Sequence, residues 1–166
     1  GILPDTLTTD SRKLNIAYYI LVQNHYFDYA TRYAQKHNKI ASPDKFKLTD
    51  AEYNDFVKYL IEEKKFTYTT QTENYYKQLF EVAKYEGYDE LAKAEFDALE
   101  AKLIPDIKKN LLDNRKEIEE MLTLEIIQRY YFQKGQVQYM LKDDIDTKVA
   151  LKLLNEGSNY NKILKK

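Results

Sequence analysis

The residue types that do chemistry are sparse and scattered in this chain. Its two histidines, His25 and His37, stand twelve positions apart, with no Glu or Asp at metal-motif spacing to either and no H-E-x-x-H. The reading is two partly exposed histidines. Glu117, Glu119 and Glu120 lie in a lysine-rich stretch that reads as a solvated helix face. A di-metal carboxylate bundle would need Glu-x-x-His pairs on facing helices, and the sequence has none. The Asp143–Asp146 segment lacks the Gly and the distal Glu of a calcium loop, and Asp146 reads as a helix cap. Ser11, Ser42 and Ser158 sit in cap- or turn-like contexts. Neither a G-x-S-x-G elbow nor a Gly-rich phosphate loop occurs. No nucleophile, base and oxyanion site assemble, so the expectation is no catalytic, cofactor-binding or metal residues and no cofactor.

Composition narrows the alternatives. Across 166 residues the formal charge is -1, without the basic surplus of a phosphate-dominated nucleic-acid binder. The absence of cysteine excludes disulfide scaffolds, thiolate metal sites and Cys nucleophiles. No apolar run approaches the roughly 20 residues that span a bilayer. Tyrosine is the outlier, at 16 with no Trp. Such rings suit core edges, with the apolar body inward and the hydroxyl toward water. The sharper alternative is a Tyr-rich helical binding module for peptide or glycan, with exposed rings lining a groove.

The elements that would carry these residues are helices. With only four Gly and three Pro, the chain reads as all-α: an irregular bundle of about six to eight helices around one long helix at about 106–133. A cap at Thr8–Ser11 precedes Leu14, Ala17, Tyr18, Leu21 and Val22 at helical spacing. Asn24 and His25 interrupt that pattern, predicting a kinked helix or two consecutive ones reaching about His37. Thr49 and Glu52 form a capping box ahead of Tyr53, Phe56, Val57, Leu60 and Ile61. Thr70 and Glu73 repeat the device, and Gly87 reads as a left-handed terminator. Asp89 then caps a helix bearing Leu91, Ala92, Phe96, Leu99 and Leu103. Pro105 fits the first turn of a new helix or a kink. The long helix follows, about 42 Å at ~1.5 Å per residue, with Ile118, Leu122, Ile126 and Tyr130 on one side. Gly135 breaks or kinks it, and Asp146-Thr147 caps a last helix that Gly157 ends.

The first residues, Gly1-Ile2-Leu3-Pro4-Asp5, read as an incoming extended segment and predict that the chain is the tail of a larger protein. This pentapeptide resembles the last core motif of carboxyl-terminal processing (tail-specific) serine proteases, where Gly-Ile-x-Pro-Asp closes the protease core. A Thr-Thr element like Thr8-Thr9 often follows. One envelope-bacterial branch of that family carries a long helical extension. Tyr26-Phe27-Asp28-Tyr29-Ala30, the Ile126–Phe132 run and Asp146–Leu154 resemble parts of it in order and character.

The resemblance implies a parent serine endopeptidase that cleaves substrates near their C-termini in the bacterial cell envelope, in the periplasm. It implies residues 1–8 as the end of the upstream core or a linker, and 9–166 as a single helical domain. The family's catalytic Ser and Lys precede the pentapeptide, so no serine or lysine here inherits their roles. The expected partners are the protein's own protease core in cis, the parent's protein or peptide substrate, and a second copy in a homo-oligomer. No nucleic acid and no membrane span are expected. The segment would serve docking, substrate access or self-association, through the aromatic surface at Tyr18–Tyr33 and the long helix around Ile118–Phe132.

Overall fold

A computed structural model describes residues 14–156. These residues form eight α-helices and one π-helical turn, with no strand among them. The pentapeptide, the Thr8–Ser11 cap and the segment from Gly157 onward lie outside the described residues. Within the span expected as one helical domain, the described chain forms two compact units that alternate along the sequence. Of the described residues, one comprises 15–25 and 49–119; the other comprises 14, 26–48 and 120–156.

The first unit begins with α1, Ile16–Val22, capped by Asn15, whose side chain accepts from the Ala17 N–H at 2.8 Å. The same side chain donates its amide to Glu117 Oε2 at 2.6 Å. Asn24 adopts a left-handed φ of 61°, so two consecutive helices form. Asn is among the few non-glycine residues that tolerate that region. Helix α3, Asp50–Lys58, carries the expected capping box and continues as a π turn, Tyr59–Glu63. Its apolar stripe places Tyr53, Phe56, Tyr59 and Leu60 in the core. Helix α4, Gln71–Glu86, starts at the Thr70 cap and ends at Gly87, whose φ is 80°.

Three expectations in this unit are corrected. Helix α5, Lys93–Leu103, starts after Ala92 without a side-chain cap. Asp89 does not cap it because residues 89–92 form a turn, closed by the Ala92 N–H on Tyr88 O at 2.9 Å. Leu91 therefore stands outside the helix and is 79% exposed. Pro105 is neither in a first turn nor at a kink. It holds Ile104 extended, as a residue before proline prefers, and Asp106 behind it caps α6, Ile107–Asp113. The long helix expected at 106–133 is thus divided: Asn114 separates α6 from α7, Arg115–Asp143.

In the second unit α2, His25–Lys36, buries Tyr26, Tyr29, Ala30 and Tyr33. These positions follow the i, i+3, i+4, i+7 spacing of a single helix face. Leu122, Ile126 and Ile127 of α7 are likewise buried. Burying each large apolar side chain contributes roughly 1.5–3 kcal/mol. Arg129 joins the two helices. Its guanidinium donates to Thr31 Oγ1 and to the Phe27 carbonyl at 3.1 Å, pairs with Glu125 at 3.3 Å, and lies 4.2 Å from the Phe27 ring centre. Ser42 takes its expected turn role, its carbonyl accepting from the Lys45 and Phe46 N–H groups at 2.8 Å.

Helix α7 does not break at Gly135. The break is at Phe132, with φ 55° and ψ -161°, a region nearly reserved for glycine that costs of order 1–3 kcal/mol. The chain reverses there. Gln136 Nε2 donates to the Leu124 carbonyl at 3.2 Å, although twelve residues of straight helix would separate them by about 18 Å. Gly135 sits where the two arms meet. A Cβ on it would lie 2.3 Å from Tyr131 Cβ and 3.0 Å from Ile127 Cγ2. Helix α8, Ile145–Asn155, follows directly, capped by Asp144 rather than Asp146: the Asp144 carboxylate accepts from the Thr147 N–H at 2.7 Å.

Candidate functional site

The titratable residues occupy structural positions. His25 is buried, against the expectation of partial exposure. The rings of Phe66 and Tyr59 stand edge-on to it at 5.3 and 6.4 Å. Its Nε2 lies 3.2 Å from Gln23 Oε1, and Gln23 in turn donates to the Thr67 carbonyl at 2.9 Å. In the connection after the π turn, Phe66 packs on His25 and Tyr68 stacks on Tyr19 at 4.4 Å. His37 is exposed and ends α2, with Nδ1 2.9 Å from the Tyr33 carbonyl and its ring stacked on Tyr33 at 4.0 Å.

The carboxylates are engaged in the same way. Glu117 accepts from Asn15, and Glu119 accepts from Arg115 Nε at 2.7 Å. Arg115 also binds Asp50 and lies over the Tyr53 ring, 4.6 Å from its centre. Its hydrogen bonds to Glu119 and Asp50 hold its pKa above the ordinary value. Glu120 is exposed. Asp143 pairs with Lys148 at 3.0 Å. The Thr147 hydrogen bonds hold the Asp144 carboxyl below its usual range, as they do for a helix cap. The described residues contain no cluster of three His, Asp or Glu able to hold a metal.

Four tyrosine hydroxyls donate to backbone carbonyls. Tyr53 donates to Leu111 O at 2.8 Å and Tyr76 to Phe96 O at 3.0 Å. Tyr130 donates to His37 O and Tyr131 to Ile40 O. Tyr26, Tyr29, Tyr33, Tyr53, Tyr59 and Tyr76 are core, whereas Tyr18, Tyr75, Tyr85 and Tyr88 are exposed. Of the expected aromatic surface at Tyr18–Tyr33, Tyr18, Leu21 and Val22 are exposed in one unit and Phe27 in the other. The second expected surface, around Ile118–Phe132, is mainly core, with Ile118, Leu122, Ile126 and Ile127 buried.

What remains available is apolar surface elsewhere. In the unit containing α4, Tyr75, Leu79 and Val82 follow one helix face and are exposed. In the other unit, Phe132, Val137, Met140 and Leu141 are exposed on and after the reversal. Helix α8 buries no side chain, and Ile145, Leu151 and Leu154 are each more than half exposed. An eleven-residue helix is marginal in water without a packing partner. Periodicity identifies the apolar residues of α8, but a sequence pattern does not say what covers them. No helix among the described residues is long and apolar enough to cross a membrane.

A family model described as "Probable PDZ-protease, C-terminal helical domain" matches residues 16–154. No curated protein and no solved structure matches the chain.

Proposed function

The chain belongs to the family of C-terminal helical domains of probable PDZ-proteases, and from that premise we propose that it is a non-catalytic docking element for its protease core in cis. The family implies the protease partner; the docking role is our reading. The observation that carries it is α8, a short capped helix with apolar residues at 145, 151 and 154 and no buried side chain. A helix of that length gains its stability from the surface it covers, and a protease core in the same polypeptide is held at high effective concentration. Docked there, the domain narrows the approach of substrate to the core. The resemblance of the first residues supports a parent serine endopeptidase that acts near substrate C-termini in the bacterial envelope.

The test uses the full-length parent carrying Leu151→Glu and Leu154→Glu. Two charges on this face should release the helical domain from the core, seen as faster limited proteolysis at the junction, while far-UV helicity stays at the wild-type level. Wild-type protease resistance in the double variant would rule α8 out as the docking face. The helical chain alone should show no peptidase turnover.

A further inference from the structure

We propose that Phe132 is a hinge through which two copies of this chain exchange the arm 133–155. In the folded-back form the arm returns along residues 120–131, bound by Gln136 to the Leu124 carbonyl and to Gln128 Oε1 at 3.3 Å, and by Lys142 to the Asp44 carbonyl at 2.9 Å. No loop separates the two helical arms; a single residue makes the reversal. That residue is an aromatic held at φ 55° and is 75% exposed, so burial does not compensate for the backbone. If Phe132 takes helical angles, α7 becomes one continuous helix from Arg115 to Asp143 and the strain is gone. The arm then lies beyond reach of its own Leu124 and Asp44, and both acceptors are met by the arm of a second copy. The exchange reuses contacts already present, and short strained hinges favour it. Phe132, Val137, Met140 and Leu141, exposed in the folded-back form, supply apolar surface for the added contact between copies. The occupant of residues 120–131 is therefore a second copy of the same segment. This inference does not rest on the docking role of α8.

Two substitutions push the equilibrium in opposite directions. Gly135→Ala puts a methyl 2.3 Å from Tyr131 Cβ in the folded-back form and improves the straight helix. Phe132→Gly removes the strain from the folded-back form and weakens the straight one. Sedimentation after refolding at high protein concentration should give a dimer Kd lower by about tenfold or more in Gly135→Ala than in Phe132→Gly. Because the chain has no cysteine, Gln128→Cys and Gln136→Cys chains can be refolded together and treated with a short bis-maleimide. Exchange joins one chain of each kind into a covalent heterodimer in the Gly135→Ala background. A folded, monomeric Gly135→Ala chain overturns the proposal. If Gly135→Ala loses its helicity, the mixed chains with the native hinge decide: heterodimer supports exchange, and its absence overturns it.

Discussion

Tyr53 shows how a single polar atom is accommodated in this core. The residue is 1% exposed, and its hydroxyl donates to Leu111 O. Burial, reinforced by the Glu119 carboxylate and partly offset by Arg115, pushes its pKa up to about 12. The folded state thus holds the proton more tightly than the unfolded chain, which releases it near pH 10. The stability that Tyr53 contributes is fully present below about pH 10 and is lost as pH rises toward 12. Alkaline unfolding followed by circular dichroism should be shallower over that window in Tyr53→Phe. At neutral pH the same variant should lose about 1–2 kcal/mol, because the Leu111 carbonyl loses a buried donor. Arg129 makes a different kind of contact. Its planar fork reaches Thr31 and Phe27 O while its face covers the Phe27 ring, which an ammonium cannot reproduce. Arg129→Lys should therefore lower stability by about 1 kcal/mol in urea unfolding, whereas an exposed pair such as Lys58–Glu62 should contribute less.

Elements divide by whether local chemistry alone defines them. Thr49 and Thr70 were legible as caps because a hydroxyl three residues before a carboxylate satisfies a helix N–H within one turn. Gly87 was legible because a left-handed terminator favours glycine. Its surroundings are open, with nothing within 4 Å of an added Cβ, so the backbone alone resists substitution. Gly87→Ala should cost about 1 kcal/mol, read as a lower urea midpoint at unchanged slope. The reversal at Phe132 was not legible, since no local preference puts an aromatic at positive φ. Packing of the returning arm imposes it, and Gly135 signals the event three residues late, through a close approach instead of a helix break. Asp89 failed as a cap for a related reason: the chain after Gly87 continues into a turn on Tyr88, and α5 begins only where that turn ends. The candidate site follows the same division. The apolar residues of α8 are read from residue types, but that Ile118, Leu122, Ile126 and Ile127 are core while α8 is bare depends on tertiary packing.

At the scale of the whole molecule, one compact unit buries Ala17, Phe56, Leu60 and Ile118 and the other buries Leu122 and Ile126, whereas α8, the last helix of that other unit, buries none. A fold whose last helix contributes so little to its own core should tolerate losing that helix. A chain ending at Asp143 gives up the Asp144 cap and the Lys148–Asp143 pair, an exposed contact of small worth. It also gives up the partial cover that Leu153 and Val149 provide. Its stability should fall by no more than about 1 kcal/mol, with the urea slope barely reduced. The functional consequence should be disproportionate. If α8 is the docking face, the same truncation in the full-length parent should release the helical domain from the core and change substrate turnover. A truncation that instead melts the helical units would place α8 inside their folding core and remove the surface on which docking depends.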